Sequence, residues 1–447
     1  MSHNTGEHPR SVSNNNDDLS DRLQNLAVST VPESSENPPS QSNQEPLLVN
    51  NAADRRRLVM KQAVATSENS NEYTDGGYCT VDIGTACYNN KYEIVKKLGW
   101  GSYATVYMAK NREEDTYVAL KFIKSAVPYF DSSMKEIQYH ATIQQQRRQK
   151  AKGAKYVSTF LESFMHRGPN GQQHHVLAFD LLGPSLYDVV HASEIDMFHT
   201  EKARQLCRQL LQAVHFLHDK CGIIHCDIKT NNILVKISDE DIKALDPNSA
   251  TYNPTTTSYN LDFGNPESDV RIKLCDFGAS VTMAHNRNHR IQTSLCRAPE
   301  VFLGCTFDKS ADMWGVGCVL YTLVTGRNLF HCLGGQDPSY DRAFHLSQMQ
   351  EVLGPITRET FESAHNSQLL DECFGSNGLL TIGNTYRPQA LKDNLIRKDC
   401  IARQHVDQFV DFLKSLLALD PKQRPTAKRA LAHRFLLPNG GIDPAAQ

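Results

Sequence analysis

Apolar and polar positions alternate through YEIVKKLGWGSYATVYMAK (92–110), and a glycine-bearing stretch interrupts the alternation. A period of two with a turn inside it predicts a β-hairpin. The runs DTYVALKFIKS (115–125) and HHVLAFDLL (174–182) predict further strands. Between them, SSMKEIQYHATIQQQRRQK (132–150) is rich in helix formers and opens on serine, so a helix is expected to start near Ser132 or Ser133. In EKARQLCRQLLQAVHFLHDK (201–220), Leu206, Leu210, Val214 and Leu217 recur at helical spacing and predict a long core helix. SADMWGVGCVLYTLVTG (310–326) is apolar on most sides and is expected to be buried. VDQFVDFLKSLLAL (406–419) and TAKRALAHRFL (426–436) predict the last helices. Strands come first and helices dominate afterwards, which implies an α+β fold with a small, mostly β lobe on a larger helical lobe.

Residues 1–75 break this patterning. They are rich in Asn, Ser, Pro, Glu and Gln and carry too few apolar side chains to offset the entropy of ordering, so a disordered tail is expected, with order beginning near Gly76. Within the tail, NAADRRRLVMKQAV is a small basic, partly apolar stretch. It reads as a solvated linker, with a short helix, a docking peptide or part of an import signal as alternatives. Residues 76–91 form an approach to the first strand, 92–180 the small lobe, 181–436 the large lobe and 437–447 a short tail. Residues 239–269 are rich in Asn, Thr, Ser, Pro and Asp and are expected to be a surface insertion with little structure.

Composition narrows the class. The 447 residues suffice for one large two-lobed domain, with 40% hydrophobic and 22% charged residues. A net charge of -3 gives no global electrostatic case for nucleic-acid binding, and the best local feature, Arg55–Arg57, has no groove-reading scaffold beside it. The 12 cysteines, among them Cys207, Cys318 and Cys400, form no CxxC pair; buried free thiols in a reducing compartment are expected rather than a zinc site. Neither a signal-peptide core nor a membrane-length apolar run is present, which places the expectation in cytoplasm or nucleus, with a monomer as the default.

The chemistry lies in ordered short motifs. Gly99 and Gly101, in GWGSYATV, suit close approach of backbone to phosphate, with Ala104 where a third glycine is usual. A dinucleotide-binding fingerprint fits less well, because a strand follows where a helix should. Lys121 in VALK is a lysine in an apolar strand; either it snorkels to the surface or it pairs with Glu136 on the next helix and holds ATP phosphates. His225–Asn232, HCDIKTNN, matches H-x-D-x-K-x-x-N: Asp227 is the candidate base for a hydroxyl nucleophile, Lys229 steadies the γ-phosphate, and Asn232 is a magnesium ligand. Asp276-Phe277-Gly278 supplies the main magnesium ligand in Asp276, and Ala298-Pro299-Glu300 closes the segment that follows.

In this order and spacing the motifs resemble the eukaryotic protein kinase superfamily over residues 92–436. The resemblance implies ATP and Mg2+ as cofactors, with Gly99, Gly101, Val106, Ala119, Lys121, Glu136, Phe179 and Asp180 at the nucleotide, Phe179 as gatekeeper and Asp180 opening the hinge. It implies that Asp312 braces the catalytic loop, that Arg424 pairs with Glu300, and that Thr293 contacts Asp227 and Lys229 in the Ser/Thr manner. Within the superfamily and its CMGC group, the chain looks most like the SR-protein-specific kinases, through Gly76-Gly77-Tyr78, Val81 and Ile83-Gly84, through KKLGWGSYATVYMAK with Trp100, and through Ile291-Gln292-Thr293. That resemblance implies a protein substrate with basic or arginine/serine-rich segments, such as a splicing factor.

Departures are visible too. Cys226 stands where many regulated kinases carry an arginine for a phosphorylated activation loop, so activity without such phosphorylation is expected. Ala298 and Pro299 differ from the usual family residues, and residues 239–269 are shorter than the usual spacer. Glu351 holds one acidic groove position, but Phe344 takes the other, with Arg342 and Ala343 nearby; Asp337 and Asp341 are the candidates to compensate. Two other readings stand beside this one: a kinase with proline-directed or other substrates, and a pseudokinase scaffold. The full set Lys121, Glu136, Asp227, Lys229, Asn232 and Asp276 argues against the second.

Overall fold

The computed structural model describes residues 57–61, 68–192, 198–284, 290–331, 338–361, 367–381, 387, 390–397 and 401–437. Strand β1 (Leu58–Lys61) precedes the small lobe, whose antiparallel sheet comprises β2 (Ala86–Cys87), β3 (Tyr92–Gly101), β4 (Ala104–Asn111), β5 (Thr116–Ile123), β6 (Phe160–Arg167) and β7 (Gln173–Asp180) in the order β2-β3-β4-β5-β7-β6. Alternation sets its two faces. Val118, Leu120 and Phe122 of β5 bury against Tyr107, Phe164 and Val176 in the lobe's own core, while Ala119 and Lys121 point to the other side.

Helix α1 (Val127–Arg148) crosses this sheet. It starts five residues before the expected Ser132: Pro128 fits the first turn, where its missing N–H is no loss, and the serines lie inside the helix. Ser133, Glu136, His140 and Ile143 form its buried stripe. The large lobe holds α2 (Leu186–Ala192), α3 (Thr200–Phe216), α4 (Asp239–Ala244), α5 (Pro299–Phe302), α6 (Ser310–Thr325), α7 (Pro338–Leu353), α8 (Ser367–Cys373), α9 (Ala390–Arg397), α10 (Arg403–Leu416) and α11 (Ala427–Ala430). Every residue of α6 is buried, as its all-round apolarity predicts. A Cβ on Gly315 would lie 2.9 Å from the Ile228 carbonyl oxygen, so glycine lets the Asp227 loop rest on α6. Short strands β8 (Ile223–Ile224), β9 (Ile233–Val235), β10 (Thr256–Tyr259), β11 (Ile272–Leu274) and β12 (Val281–Thr282) frame the cleft floor, with β9 pairing β11 and β8 pairing β12. The two-lobed α+β architecture read from the sequence is therefore observed.

Residues 239–269 are not the loosely structured loop expected from their composition. Ser238 and Asp241 close a capping box on α4, and Tyr259, Leu261 and Phe263 are buried. Strand β10 gains its partner from far away in sequence: β1 pairs with it antiparallel, Leu58 opposite Tyr259, with Leu58 and Met60 buried. The basic stretch read as a linker thus contributes a strand. Order also precedes Gly76, since Ser70–Glu72 form a 3-10 turn and Glu68 and Glu72 pair with Lys97 and Lys124. The remainder of the proposed tail, residues 1–56 and 62–67, lies outside the described residues, as do residues 438–447 and Cys400. Cys207 and Cys318 are buried thiols. Among the described residues no helix is long and apolar enough to cross a membrane.

Candidate active site

The hairpin β3–β4 places Gly99 opposite Val106 and Gly101 opposite Ala104; Val106 in turn lies opposite Lys121, and Ala119 opposite Phe179. Directly opposed residues share a face of a sheet, so Gly99, Val106, Ala119, Lys121 and Phe179 all look into the cleft. A Cβ added to Gly99 or Gly101 would meet nothing within 4 Å; the glycines leave open the space that a phosphate chain needs. The hairpin is held from outside by Tyr78, whose hydroxyl donates to the Gly101 carbonyl at 2.7 Å.

Lys121 does not snorkel. Its Nζ lies 3.0 Å from both Glu136 carboxylate oxygens and 2.9 Å from Asp276 Oδ1. Burial pulls the lysine pKa down, but Asp276 and Glu136 outweigh it and hold the ammonium above its ordinary value. The same ammonium holds the Asp276 carboxyl at about 2. Behind this triad the Phe277 ring is buried against His140 and His225, with centroids 4.9 and 5.1 Å away, and His140 also stacks on Phe160 and meets Phe179 edge-on. The His140 nitrogens are buried without hydrogen-bond partners, Nε2 lying 4.0 Å from the Glu136 carboxylate, and burial pushes the pKa down to about 3, so His140 packs as a neutral aromatic ring.

The loop carrying Asp227 is fastened from below by Asp312 on α6. Its carboxylate accepts from the Cys226 N–H at 2.9 Å and from the His225 N–H and His218 Nε2 at 2.8 Å each. Cys226 is buried with φ at 69°, and Asp276 and Gln292 also have left-handed φ, 65° and 64°. Non-glycine residues there cost about 1–3 kcal/mol each, and surrounding hydrogen bonds must enforce them. Four donors converge on the Asp227 carboxylate: Thr293 N–H (3.1 Å), Thr293 Oγ1 (2.9 Å), Lys229 Nζ (2.7 Å) and Asn232 Nδ2 (3.0 Å). Lys229 also reaches Thr293 Oγ1 at 2.7 Å.

The segment after Asp276 is anchored without a phosphate. Gln292 donates to the Ala311 carbonyl and accepts from the Ala298 N–H, while Arg297 donates to the Ile291 and Gln292 carbonyls. The Gln292 N–H reaches the Cys226 carbonyl at 3.1 Å, tying the segment to the catalytic loop. Glu300 and Arg424 form a buried bidentate pair, both contacts 2.7 Å, with Arg424 also donating to the Ala418 carbonyl.

Two expectations change. The Asp180 side chain accepts from the Thr159 N–H and pairs with Lys273, and its own N–H donates to the Thr159 carbonyl at 3.0 Å, so Asp180 fastens the end of β7 to the strand beside it. Glu351 on α7 is engaged by Arg387 at 3.7 Å, so one of the chain's own arginines occupies the carboxylate expected at the docking region, while Arg342 pairs with Glu372 of α8 at 3.5 Å. Phe344 is half-buried. Asp337 and the Asp341 side chain lie outside the described residues. Sequence reading missed Gln292, Arg297, His218 and the Tyr78 hydroxyl as site supports, because each acts on backbone or on residues distant in the chain.

Residues that fit a nucleotide and magnesium are therefore gathered: an open glycine hairpin, a lysine fixed by two carboxylates, and Asp276 with Asn232 at the cleft floor. Among the described residues no trio of His, Cys, Asp or Glu gathers as a metal cage. Magnesium held partly by phosphates and water needs none.

Residues 92–436 match the family described as Protein kinase domain. The chain is 26% identical to the serine/threonine-protein kinase spk-1 of Caenorhabditis elegans, covering 84% of this chain and 51% of that protein. It is 29% identical to the serine/threonine-protein kinase SRPK of Physarum polycephalum, covering 83% and 91%, and 32% identical to the serine/threonine-protein kinase AFC3 of Arabidopsis thaliana, covering 77% and 82%. It thus spans about half the length of the nematode relative and most of the other two.

Proposed function

The chain belongs to the eukaryotic protein kinase family, as an ATP-dependent serine/threonine kinase of the CMGC group, and from that premise we propose that it phosphorylates serines in basic or arginine/serine-rich protein segments. The observation that carries the catalytic part is the convergence of Lys229, Thr293 and Asn232 on the Asp227 carboxylate, next to the Lys121–Glu136–Asp276 triad. Bound ATP with magnesium supplies the electrophilic phosphoryl group. Gly99 and Gly101 leave room for its phosphates, and Lys121 neutralises them. Asp276 and Asn232 would hold the metal. Asp227 orients the substrate hydroxyl and accepts its proton; a carboxylate has about four acceptor sites, so the hydroxyl takes the place of one present donor. Lys229, on a long flexible stem, is the donor free to turn toward the transferred phosphoryl group. Thr293, fixed by two contacts to Asp227, lines the approach of a serine or threonine.

The anchoring of 291–300 by Gln292 and Arg297 supports activity without phosphorylation of that segment, in line with Cys226 in place of a phosphate-reading arginine. The substrate class rests on the SRPK and AFC3 relatives and on the GGY and GWG segments. The pairing of Glu351 with Arg387 favours single basic sites over long repeats, although a partly exposed ion pair is worth only about 0–1 kcal/mol and a substrate arginine can displace it. The test is phosphate transfer to matched peptides carrying RS repeats, single RxxS or RS sites, and SP sites. Faster transfer to basic sites supports this reading. Transfer confined to SP peptides overturns the substrate class and leaves the kinase assignment standing.

A further inference from the structure

A second concave site lies away from the phosphate-transfer cleft. It is a cavity of about 260 Å³ between the C-terminal end of α1, the loop that follows it, and the β9 and β11 ends of the large lobe. Its walls carry Arg147, Lys155, Lys236, Arg271 and Lys273, and no acidic residue lines it. Arg147 lies about three helical turns along α1 from Glu136, so the cavity is separate from the lysine–carboxylate triad.

These five cations are only partly neutralised. Lys273 pairs with Asp180 and Arg271 with Asp269, both carboxylates reaching in from outside the walls. Lys155 rests over the Tyr156 ring at 4.9 Å, and Lys236 is exposed with no side-chain partner. The Arg147 guanidinium is fixed by its Nη2 donating to the carbonyls of Ala154, Val157 and Ser158 at 3.2, 2.9 and 3.1 Å, while its Nη1 is buried without any partner. That buried nitrogen does not open onto the groove, so Arg147 contributes positive charge to the wall, and the exposed ammonium groups of Lys155 and Lys236 are the donors within reach of a ligand. The positive strip continues outward along exposed Arg148, Lys150 and Lys152 in a chain whose overall charge is -3. Concentrating positive charge there against the net sign creates a local attractive field for anions.

We propose that this groove binds a phosphorylated protein segment, the phosphate entering the cavity at Lys155 and Lys236, beside the positive charge of Arg147, and acidic flanking residues lying along Arg148–Lys152. Five cations against two pairing carboxylates leave an excess of three positive charges, which favours a tetrahedral dianion, and a compact group fits the volume. The inference goes beyond the phosphotransfer reading: it concerns a surface that the reaction itself does not use. A nucleic acid is the less favoured ligand, because base stacking needs a series of aromatic faces and Tyr156 is the only one on these walls.

The experiment is fluorescence anisotropy with the full-length protein and an acidic-flanked phosphoserine peptide, its unphosphorylated twin, and a single-stranded RNA of equal charge, in saturating non-hydrolysable ATP analogue. Expected are at least tenfold tighter binding of the phosphopeptide than of its twin and of the RNA, and at least tenfold weakening in Lys155→Glu/Lys236→Glu with transfer to a phosphate-free substrate peptide unchanged. The milder Lys155→Gln/Lys236→Gln variant guards against misfolding and should weaken binding in the same direction. Binding that appears only after phosphatase treatment of the enzyme identifies the chain's own phosphorylated residues as the natural occupant and supports the site. Equal binding of the unphosphorylated twin, indifference to both variants, or tighter binding of RNA overturns the proposal.

Discussion

In the cleft, charged side chains hold one another: Lys121 with Glu136 and Asp276, Asp227 with Lys229, and Thr293 between the last two. The insert of residues 239–269 is held by other means. Its Tyr259, Leu261 and Phe263 sink into the main core, its strand β10 borrows β1, and Lys202 of α3 donates to the Ser268 carbonyl and hydroxyl. Tyr117 of the small lobe donates to Asp246 at 2.6 Å, so the insert touches both lobes. The difference teaches where each region is vulnerable. The cleft tolerates modest changes in packing but not the loss of one charge; the insert tolerates surface charge changes but not the loss of its distant strand.

The sharpest break is Asp227→Asn. It keeps the shape and removes the proton acceptor, so turnover should fall by about 10²–10⁴-fold with little change in the thermal midpoint. A fall in stability matching the fall in rate would mean that Asp227 acts through the fold. Next comes Arg424→Met, which strands Glu300 as a buried unpaired carboxylate. Chemical denaturation should show a loss of about 3–5 kcal/mol, partly restored by adding Glu300→Gln. Leu58→Ala probes the insert side: it removes a buried leucine of β1 and should cost roughly 2–5 kcal/mol in denaturant titrations, while peptide phosphorylation below the melting range stays near wild type. No loss of stability would show that β1 is dispensable.

The smallest expected effect concerns pH. Burial holds the His140 pKa at about 3, below its ordinary 6.5. As pH falls through 6.5 the unfolded chain takes up a proton that the folded chain refuses, so stability declines toward pH 3 by up to about 1.4 kcal/mol per unit. His140→Leu should flatten the stability slope between pH 6.5 and 5. Buried His174 and His175 and half-buried His166, also held low by desolvation, keep part of it. An unchanged slope would remove His140 from this account.

How much of this is readable from the chain follows the same division. Motif residues such as Lys121, Asp227 and Asp276 carry their chemistry at fixed local spacing, so their roles and rough positions could be stated before any fold was known. The buried α6 was legible from all-round apolarity. The strand at Leu58–Lys61 was not, because four residues inside a polar, basic stretch find their strand partner in Thr256–Tyr259, nearly two hundred positions away. The start of α1 was misplaced because Pro128 in a first turn looks like a break and Ser132 looks like a cap. The Gln292 and Arg297 anchors act on carbonyls, which no residue type announces.

The central claim is that the cleft is a working phosphate-transfer site that needs no phosphorylated activation segment. Its most direct test is transfer of labelled γ-phosphate from ATP to a basic serine peptide by phosphatase-treated protein, beside Asp276→Asn. Retained transfer by the treated wild type and loss in the variant is the predicted result. Absence of transfer in both, or equal transfer in both, would contradict it.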